Sequence, residues 1–277
     1  ISHNYYQNPG GEDIVFDLEC NLLKSNNHSI LRFKELTDNF NSLNPFKKAF
    51  EIIWSNSSYH KIKNIIKENR DFDIAHFHNT FLSFSPSVYY ACKESNIPVI
   101  QTLHNYRLIC PKGTFFRAKK ICTLCNKKPF PYYSLIYKCV RNSISKSLAV
   151  SCIKPFHQVL NTWNDKVDIF ITPTEFCKKI YVENGFPEDK IIVKPHFIYP
   201  DPLEGKKTES ASKNYVLFIG RLAEEKGIKV LLNSWKRFKD IPLKIVGDGP
   251  LVNECKNIIS EEKLNIEFLG QQPKEKI

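Results

Sequence analysis

Tyr215-Val216-Leu217-Phe218-Ile219-Gly220-Arg221-Leu222-Ala223-Glu224-Glu225-Lys226-Gly227 runs from an apolar segment, through a turn bearing glycines and cations, into a region of helical periodicity. A short continuous apolar run ended by glycine reads as a strand, and the 3.6-residue spacing after it predicts an amphipathic helix over 228–238. The rhythm then repeats. Leu243-Lys244-Ile245-Val246 is a strand ending in Gly247-Asp248-Gly249-Pro250, a helix is expected over 251–263, and Ile266-Glu267-Phe268-Leu269 is a further strand. Alternation of this kind predicts a parallel sheet covered by helices.

Working back along the chain, the same alternation is found upstream. Strands are expected at Ile74–Phe77, Pro98–Leu103, Asp168–Ile171 and Ile191–Val193. Helices are expected over 88–95 and over 175–184, the latter stopped by Gly185. Between the two α/β regions, the polar stretch 201–214 carries Pro202, Gly205 and a Lys/Ser-rich run, which predicts a linker. The organisation read from the sequence is therefore an N-terminal Rossmann-like domain over 1–200, a linker over 201–214 and a second Rossmann-like domain over 215–277. The chain opens at Ile1, contains no methionine and starts on what reads as the tail of a strand. It is read as a fragment whose second domain is incomplete.

In an open α/β sheet, ligands meet the carboxyl ends of the strands, and free helix N–H groups favour phosphate there. Arg221 and Lys226 add cations at that edge, and Gly247 and Gly249 mark the next strand end. Near the start, Asn8-Pro9-Gly10-Gly11-Glu12 forms a glycine turn after the first strand, where Gly10 and Gly11 allow close backbone approach. His104, in Thr102-Leu103-His104-Asn105-Tyr106-Arg107, lies where a strand gives way to a loop. His76 and His78 are two apart on a strand and share a face, as a metal pair or, the reading preferred here, as strand-end polar contacts.

The order and spacing of Phe218-Ile219-Gly220-Arg221-Leu222, Glu225-Lys226-Gly227 and Val246-Gly247-Asp248-Gly249-Pro250 resemble the family 4 glycosyltransferases, as do the Gly10-Gly11 turn and the segment after β-strand residue Thr102. The resemblance covers Asn4 to Gly270. It implies the GT-B fold, two Rossmann-like domains facing a cleft. It also implies a retaining transfer of sugar from a nucleoside-diphosphate sugar to a saccharide or lipid-linked acceptor, in cell-surface polysaccharide or glycolipid synthesis, with no cofactor required for catalysis. By the same resemblance, Arg221 and Lys226 hold the donor diphosphate, Gly10, Gly11, Gly247 and Gly249 lie on the donor side, and His104 is the catalytic residue beside the donor sugar. The family's pair of glutamates near the donor ribose has no counterpart up to residue 277, so the fragment alone is expected to bind donor poorly and to turn over little.

The segment 105–142 breaks the alternation. It is a long insertion with Cys110, Cys122, Cys125 and Cys139, and a Cys-x2-Cys knuckle with two outlying cysteines has the spacing of a tetrahedral thiolate site, zinc by default and an iron–sulfur centre as the softer alternative. A subset of family 4 enzymes resembles this insertion. Nine cysteines without an export signal fit a reducing cytoplasm, and an odd count does not fit a full disulfide framework. The other five, Cys20, Cys92, Cys152, Cys177 and Cys255, read as buried helix residues. From Ser95 to Asn164 there is no acidic residue, while Arg107, Lys112, Arg117, Lys119, Lys120 and others through Lys154 are interleaved with aromatics. Such a surface attracts phosphates and predicts a peripheral contact with the anionic cytoplasmic membrane. A nucleic-acid-binding protein with a zinc knuckle is the competing class, and a non-catalytic GT-B-like ligand-binding protein is another. The Gly-Arg…Lys-Gly turn has no role in the first of these. No run of about 18 apolar residues is present to cross a membrane.

Overall fold

The computed structural model describes residues 1–5, 10–36, 44–69, 71–81, 84–201 and 214–273. Asn8, Pro9, most of the expected linker and the terminal Lys274–Ile277 lie outside the described residues. The chain divides into two compact units, 1–117 with 121–204, and 118–120 with 205–277.

The first unit is built on a six-stranded, all-parallel sheet: β1 (Ser2–Tyr5), β2 (Phe33–Leu36), β3 (Ala75–Asn79), β4 (Val99–Thr102), β7 (Ile169–Thr172) and β8 (Ile191–Val193), in the order β2-β1-β3-β4-β7-β8. Strands of a covered parallel sheet are apolar on both faces, and Phe77, Val99, Phe170 and Ile191 are accordingly buried in one cluster with Val88, Tyr89, Trp163, Tyr181 and Phe186. Helix α1 (Gly11–Ser25) follows β1 directly. Helix Glu175–Val182 starts at Thr174, whose hydroxyl accepts from the Cys177 N–H, and Gly185 follows it at φ +85°. The chain passes from β1 outward to β2, then returns across β1 to β3. The strand order therefore reverses between β1 and β3, the place where open α/β sheets leave a crevice beyond their carboxyl ends.

Some elements were not foreseen. Among these are α1, β2, the helices Pro45–Ile53 and Asn56–Glu68, and the helices Ile144–Ser151, Ile153–Val159 and Thr162–Asp165 that follow the insertion. Within the insertion itself, β5 (Phe116–Arg117) and β6 (Lys120–Ile121) form a small two-stranded sheet.

The second unit has three parallel strands, β9 (Val216–Ile219), β10 (Leu243–Val246) and β11 (Ile266–Gly270), ordered β11-β10-β9. Helices Ile228–Trp235 and Val252–Glu261 place Ile228, Leu232, Trp235 and Cys255 against Leu243 and Ile245 to make its core.

Candidate functional site

In the second unit, the edge formed by the strand ends of β9 and β10 is locked by backbone contact. Gly220 N–H donates to Val246 O at 3.0 Å, and Leu222 N–H to Asp248 O at 2.8 Å. A Cβ on Gly247 would lie 2.0 Å from Gly220 O, and one on Gly249 would lie 2.4 Å from Leu222 O; both residues have positive φ. These glycines are required because one turn presses on the backbone of the other. The Asp248 carboxylate accepts from the Gly249 N–H at 2.7 Å and closes the second turn. The arrangement leaves Arg221 exposed at the strand edge, and Lys226 is exposed too, on a 3-10 turn (Glu224–Lys226). Neither has an ion-pair partner among the described residues. The helix behind them starts later than a direct strand-to-helix turn would allow: Gly227, at φ +70°, is its N-cap and Ile228 its first residue. Arg221 is thus a side-chain cation on a rigid turn, separated from the helix N-terminus by the 3-10 turn.

In the first unit, β1, β3 and the segments that follow β4 and β8 gather five histidines. His76 Nε2 lies 2.8 Å from the Thr102 hydroxyl, and His78 Nδ1 lies 3.0 Å from His104 Nε2. The rings continue from His3 through His78 and His104 to His196, with 5.2 Å between the centroids of His78 and His104 and 5.5 Å between those of His104 and His196. Carboxylates from α1 close the group. Asp13 bridges His3 Nε2, at 2.7 Å, and the Gly10 N–H. Glu19 lies 3.5 Å from His76 and 3.6 Å from His78, and Lys194, just past β8, donates to it at 2.7 Å. Glu19, His76 and His78 hold their ligand atoms within 4.8 Å of one another, close enough for a metal ion. Lys194 already brings a cation to that carboxylate, so the polar-contact reading of His76 and His78 accounts for the geometry.

Burial dominates the protonation of this group. It pushes His76 down to about 3, with Lys194 adding to the effect, and His104 down to about 3, with His196 and then His3 adding to it. His78 is driven well below its ordinary value for the same reason. At neutral pH these imidazoles are uncharged. His104 therefore offers hydrogen bonds in place of charge. Its Nε2 is taken by His78, while Nδ1 is buried with no partner among the described residues. A cavity beside it is lined by His78, Asn79, Thr102, Asn105, Arg107 and Tyr181. The loop after His104 is tied down: Tyr181 Oη donates to Asn105 O at 2.6 Å, and Arg107 lies over the Phe81 ring at 4.1 Å. Gly10 and Gly11 sit at the start of α1 with nothing nearer than 3.8 Å to an added Cβ. Packing within the unit does not demand glycine at either place.

All nine cysteines are free thiols. Cys110, Cys122, Cys125 and Cys139, distant in sequence, line one cavity. Burial and then the neighbouring thiols push Cys125 up to about 11. Cys20, Cys92, Cys177 and Cys255 are buried, but Cys152 is only half-buried, because it sits at the junction of two short helices. The acid-free surface also needs one correction. Lys154 is buried and donates to Lys128 O and Asn184 Oδ1, at 3.1 and 3.3 Å, so it does not belong to the exposed basic face.

The sequence model described as Glycosyltransferase Family 4 matches residues 35–201. The chain belongs to glycosyltransferase family 4. The model described as Glycosyl transferases group 1 matches residues 202–277. Among curated proteins, the chain is 33% identical over 122 residues to the uncharacterized glycosyltransferase MJ1059 of Methanocaldococcus jannaschii, covering 38% of this chain and 30% of that protein. It is 20% identical over 205 residues to the uncharacterized glycosyltransferase YqgM of Bacillus subtilis, covering 73% and 46%. The chain thus spans less than half the length of these two relatives. Among solved structures, a glycosyltransferase from Rickettsia africae matches with a TM-score of 0.55 at 19% identity, covering 98% of this chain and 68% of the other. Anabaena Alr3699/HepE in complex with UDP matches with a TM-score of 0.52 at 13% identity, over the same shares. At these identities the likeness carries the fold, the α/β GT-B architecture.

Within this family-4 chain, sequence reasoning did not find Asp13, Glu19, Lys194, His3 or His196. A signal existed for two of them. Asp13 and Glu19 interrupt a helix face on which Val15, Phe16, Leu18 and Cys20 are buried, and carboxylates on a buried face need partners.

Proposed function

We propose that the chain carries the donor-handling parts of a retaining glycosyltransferase, which moves a sugar from a nucleoside-diphosphate sugar to a saccharide or lipid-linked acceptor in cell-surface polysaccharide or glycolipid synthesis. The observation that carries this reading is the glycine-locked turn that leaves Arg221, with Lys226 beyond it, exposed and unpaired. Breaking the bond from the anomeric carbon to the diphosphate builds negative charge on the leaving phosphate, and fixed cations stabilise it as it forms. Arg221 and Lys226 take that charge, so this reading requires no cofactor for the transfer. His104, neutral and with Nδ1 open, accepts from or donates to a sugar hydroxyl. Membership of the family and the UDP-bound Anabaena neighbour support a nucleotide donor.

The test is nucleotide binding by the complete protein. Arg221→Ala and Lys226→Ala should each weaken UDP, GDP, ADP or TDP, whichever binds, by about 1.5–3 kcal/mol. In the same preparation, His104→Ala should keep nucleotide affinity and lose turnover. Unchanged affinity in both cation variants across the panel rules the assignment out.

The same proposal places the enzyme peripherally on the cytoplasmic membrane face. Among the described residues no helix is long and apolar enough to cross a membrane. Ile121, Ile136 and Val159 are strongly exposed in the stretch that also exposes Lys120, Lys138 and Lys146. A basic residue near an anionic surface contributes about 1 kcal/mol. Sedimentation with anionic vesicles should exceed that with neutral vesicles and fall with salt; equal pelleting counts against the placement.

A further inference from the structure

We propose that Cys110, Cys122, Cys125 and Cys139 bind one structural metal ion in tetrahedral thiolate coordination, zinc by the ligand set. The four come from three separate stretches of the insertion and line a single cavity, together with Lys112 and Arg117. Local turns present them. Cys110 N–H donates to Tyr106 O at 2.7 Å, Cys122 N–H to Phe115 O at 2.7 Å, and Cys139 N–H to Ser134 O at 2.9 Å. Asn126 N–H donates to Thr123 O and turns the chain at the Cys-x2-Cys knuckle.

The start of the insertion packs in the core through Tyr106, Ile109 and Phe115, but beyond Phe115 it is held by polar contacts, among them Lys127 N–H to Asn184 Oδ1 at 2.9 Å, Ser134 Oγ with Ser151 Oγ at 2.6 Å and Lys154 Nζ to Lys128 O at 3.1 Å. No residue from 116 to 139 belongs to the hydrophobic clusters formed by the described residues. Ile121, Leu124, Tyr132, Ile136 and Tyr137 are exposed. The backbone is also strained, with Phe115, Ala118, Lys119, Lys127 and Lys138 all at φ between 47° and 60° without being glycine. Residues in that region persist only where their surroundings over-determine them. An ordered segment with no apolar core beyond Phe115 and with repeated strain gains from a further source of free energy, and metal ligation by four side chains is one that small domains use.

Charge supports the assignment. A divalent ion with four thiolates carries net negative charge, and Lys112 and Arg117 stand at the cavity to offset it. Each thiol gives up a proton to solvent on binding, so the thiolates supply all four bonds and leave no open position for chemistry. Among the described residues the four sulfurs do not form a group as close as that of Glu19, His76 and His78, so binding draws them inward. Cys110 lies six positions after His104, on the loop that Tyr106 and Gly113 close by a 3.0 Å backbone hydrogen bond. The ion therefore also fixes the loop that begins at His104.

The complete chain, purified without added metal, is analysed for metal content and then exchanged with cobalt(II). The expected result is about one zinc or iron per chain, and, after exchange, the sulfur-to-cobalt charge-transfer absorption and visible bands of a tetrahedral thiolate site. Both should vanish in Cys122→Ser/Cys125→Ser and persist in His76→Gln. Hydrogen exchange over 110–139 should quicken when a chelator removes the ion. Metal-free protein that lacks thiolate bands after cobalt addition overturns the proposal. So does metal that survives the double serine variant, or a Cys110–Cys139 disulfide found by thiol counting. If the double variant does not fold, the cobalt spectrum of the unsubstituted chain decides.

Discussion

The histidine group at the sheet edge and the cysteine group in the insertion are both made of good metal ligands, yet their surroundings differ in one respect. Glu19, His76 and His78 are held close by a rigid parallel sheet and by α1, and Lys194 reaches in to supply the positive charge. The cysteines are further apart, three of them sit in a stretch outside the hydrophobic clusters of the described residues, and all four line a cavity with Lys112 and Arg117, whose charge favours thiolates over a bare cation. Where the scaffold is already stable, ligand-type residues can be satisfied by one another and by a lysine. Where it is not, the same kind of cluster has a stabilising role only if something binds it. Proximity alone ranks the histidine group first, and on the proposal above charge with local stability reverses that ranking.

Acid should separate them most strongly. His76 and His104 are held at about 3, and His157, buried between Thr162 and the Ile53 carbonyl, at about 4. All three lie below the ordinary value of about 6.5, so the unfolded chain binds more protons than the folded one between those limits. The stability they contribute is fully present above pH 6.5 and is lost as pH falls through 6.5 toward the folded values. Each should cost about 1 kcal/mol over the first pH unit below 6.5, and about 3–4 kcal/mol together. Denaturant titrations at pH 7.5 and 5.5 check this; equal stability at both would mean the group is not buried neutral. A second test acts on the lysine. Lys194→Met leaves Glu19 buried with only neutral imidazoles and should cost about 2 kcal/mol, a figure reduced for the partial exposure of Lys194. It should also let the sheet-edge group take up zinc or nickel, raising metal content by about one ion per chain over the parent. A variant as metal-free there as the parent would show that Lys194 is not what distinguishes the two clusters.

Much of the fold could be read in advance because β8 and β9 are uninterrupted apolar runs ended by turns, and β10 is broken only by Lys244. The strand Ile191–Val193 and the strand Leu243–Val246 agree with expectation to the residue. β2, Phe33-Lys34-Glu35-Leu36, was not legible because this edge strand carries charge and has no continuous run. Helix Asn56–Glu68 was missed although Ser55 caps it by accepting from the Ser58 N–H and Tyr59, Ile62, Ile65 and Ile66 repeat at helical spacing on its buried side. The candidate site was legible where a motif is local, at Gly220-Arg221 and at Gly247-Asp248-Gly249. It was not legible where register makes it. His3 and Asn79 become neighbours only because β1 and β3 pair in parallel, and Lys194 meets Glu19 across 175 residues of chain. No local pattern encodes such a meeting.

The interlock of the 220–222 and 247–249 turns has a consequence for anyone recombining relatives of this protein. A chimera that exchanges the Arg221 turn alone inherits a socket cut for a different plug, because Gly220 O and Leu222 O rest against positions 247 and 249 with no side chain between to absorb a mismatch. The two turns form one cassette, and a crossover between them is tolerated only when both parents set the backbone at the same height. Crossovers placed in the helix Ile228–Trp235 split the cassette, whereas those placed before Val216 or after Leu251 carry it whole.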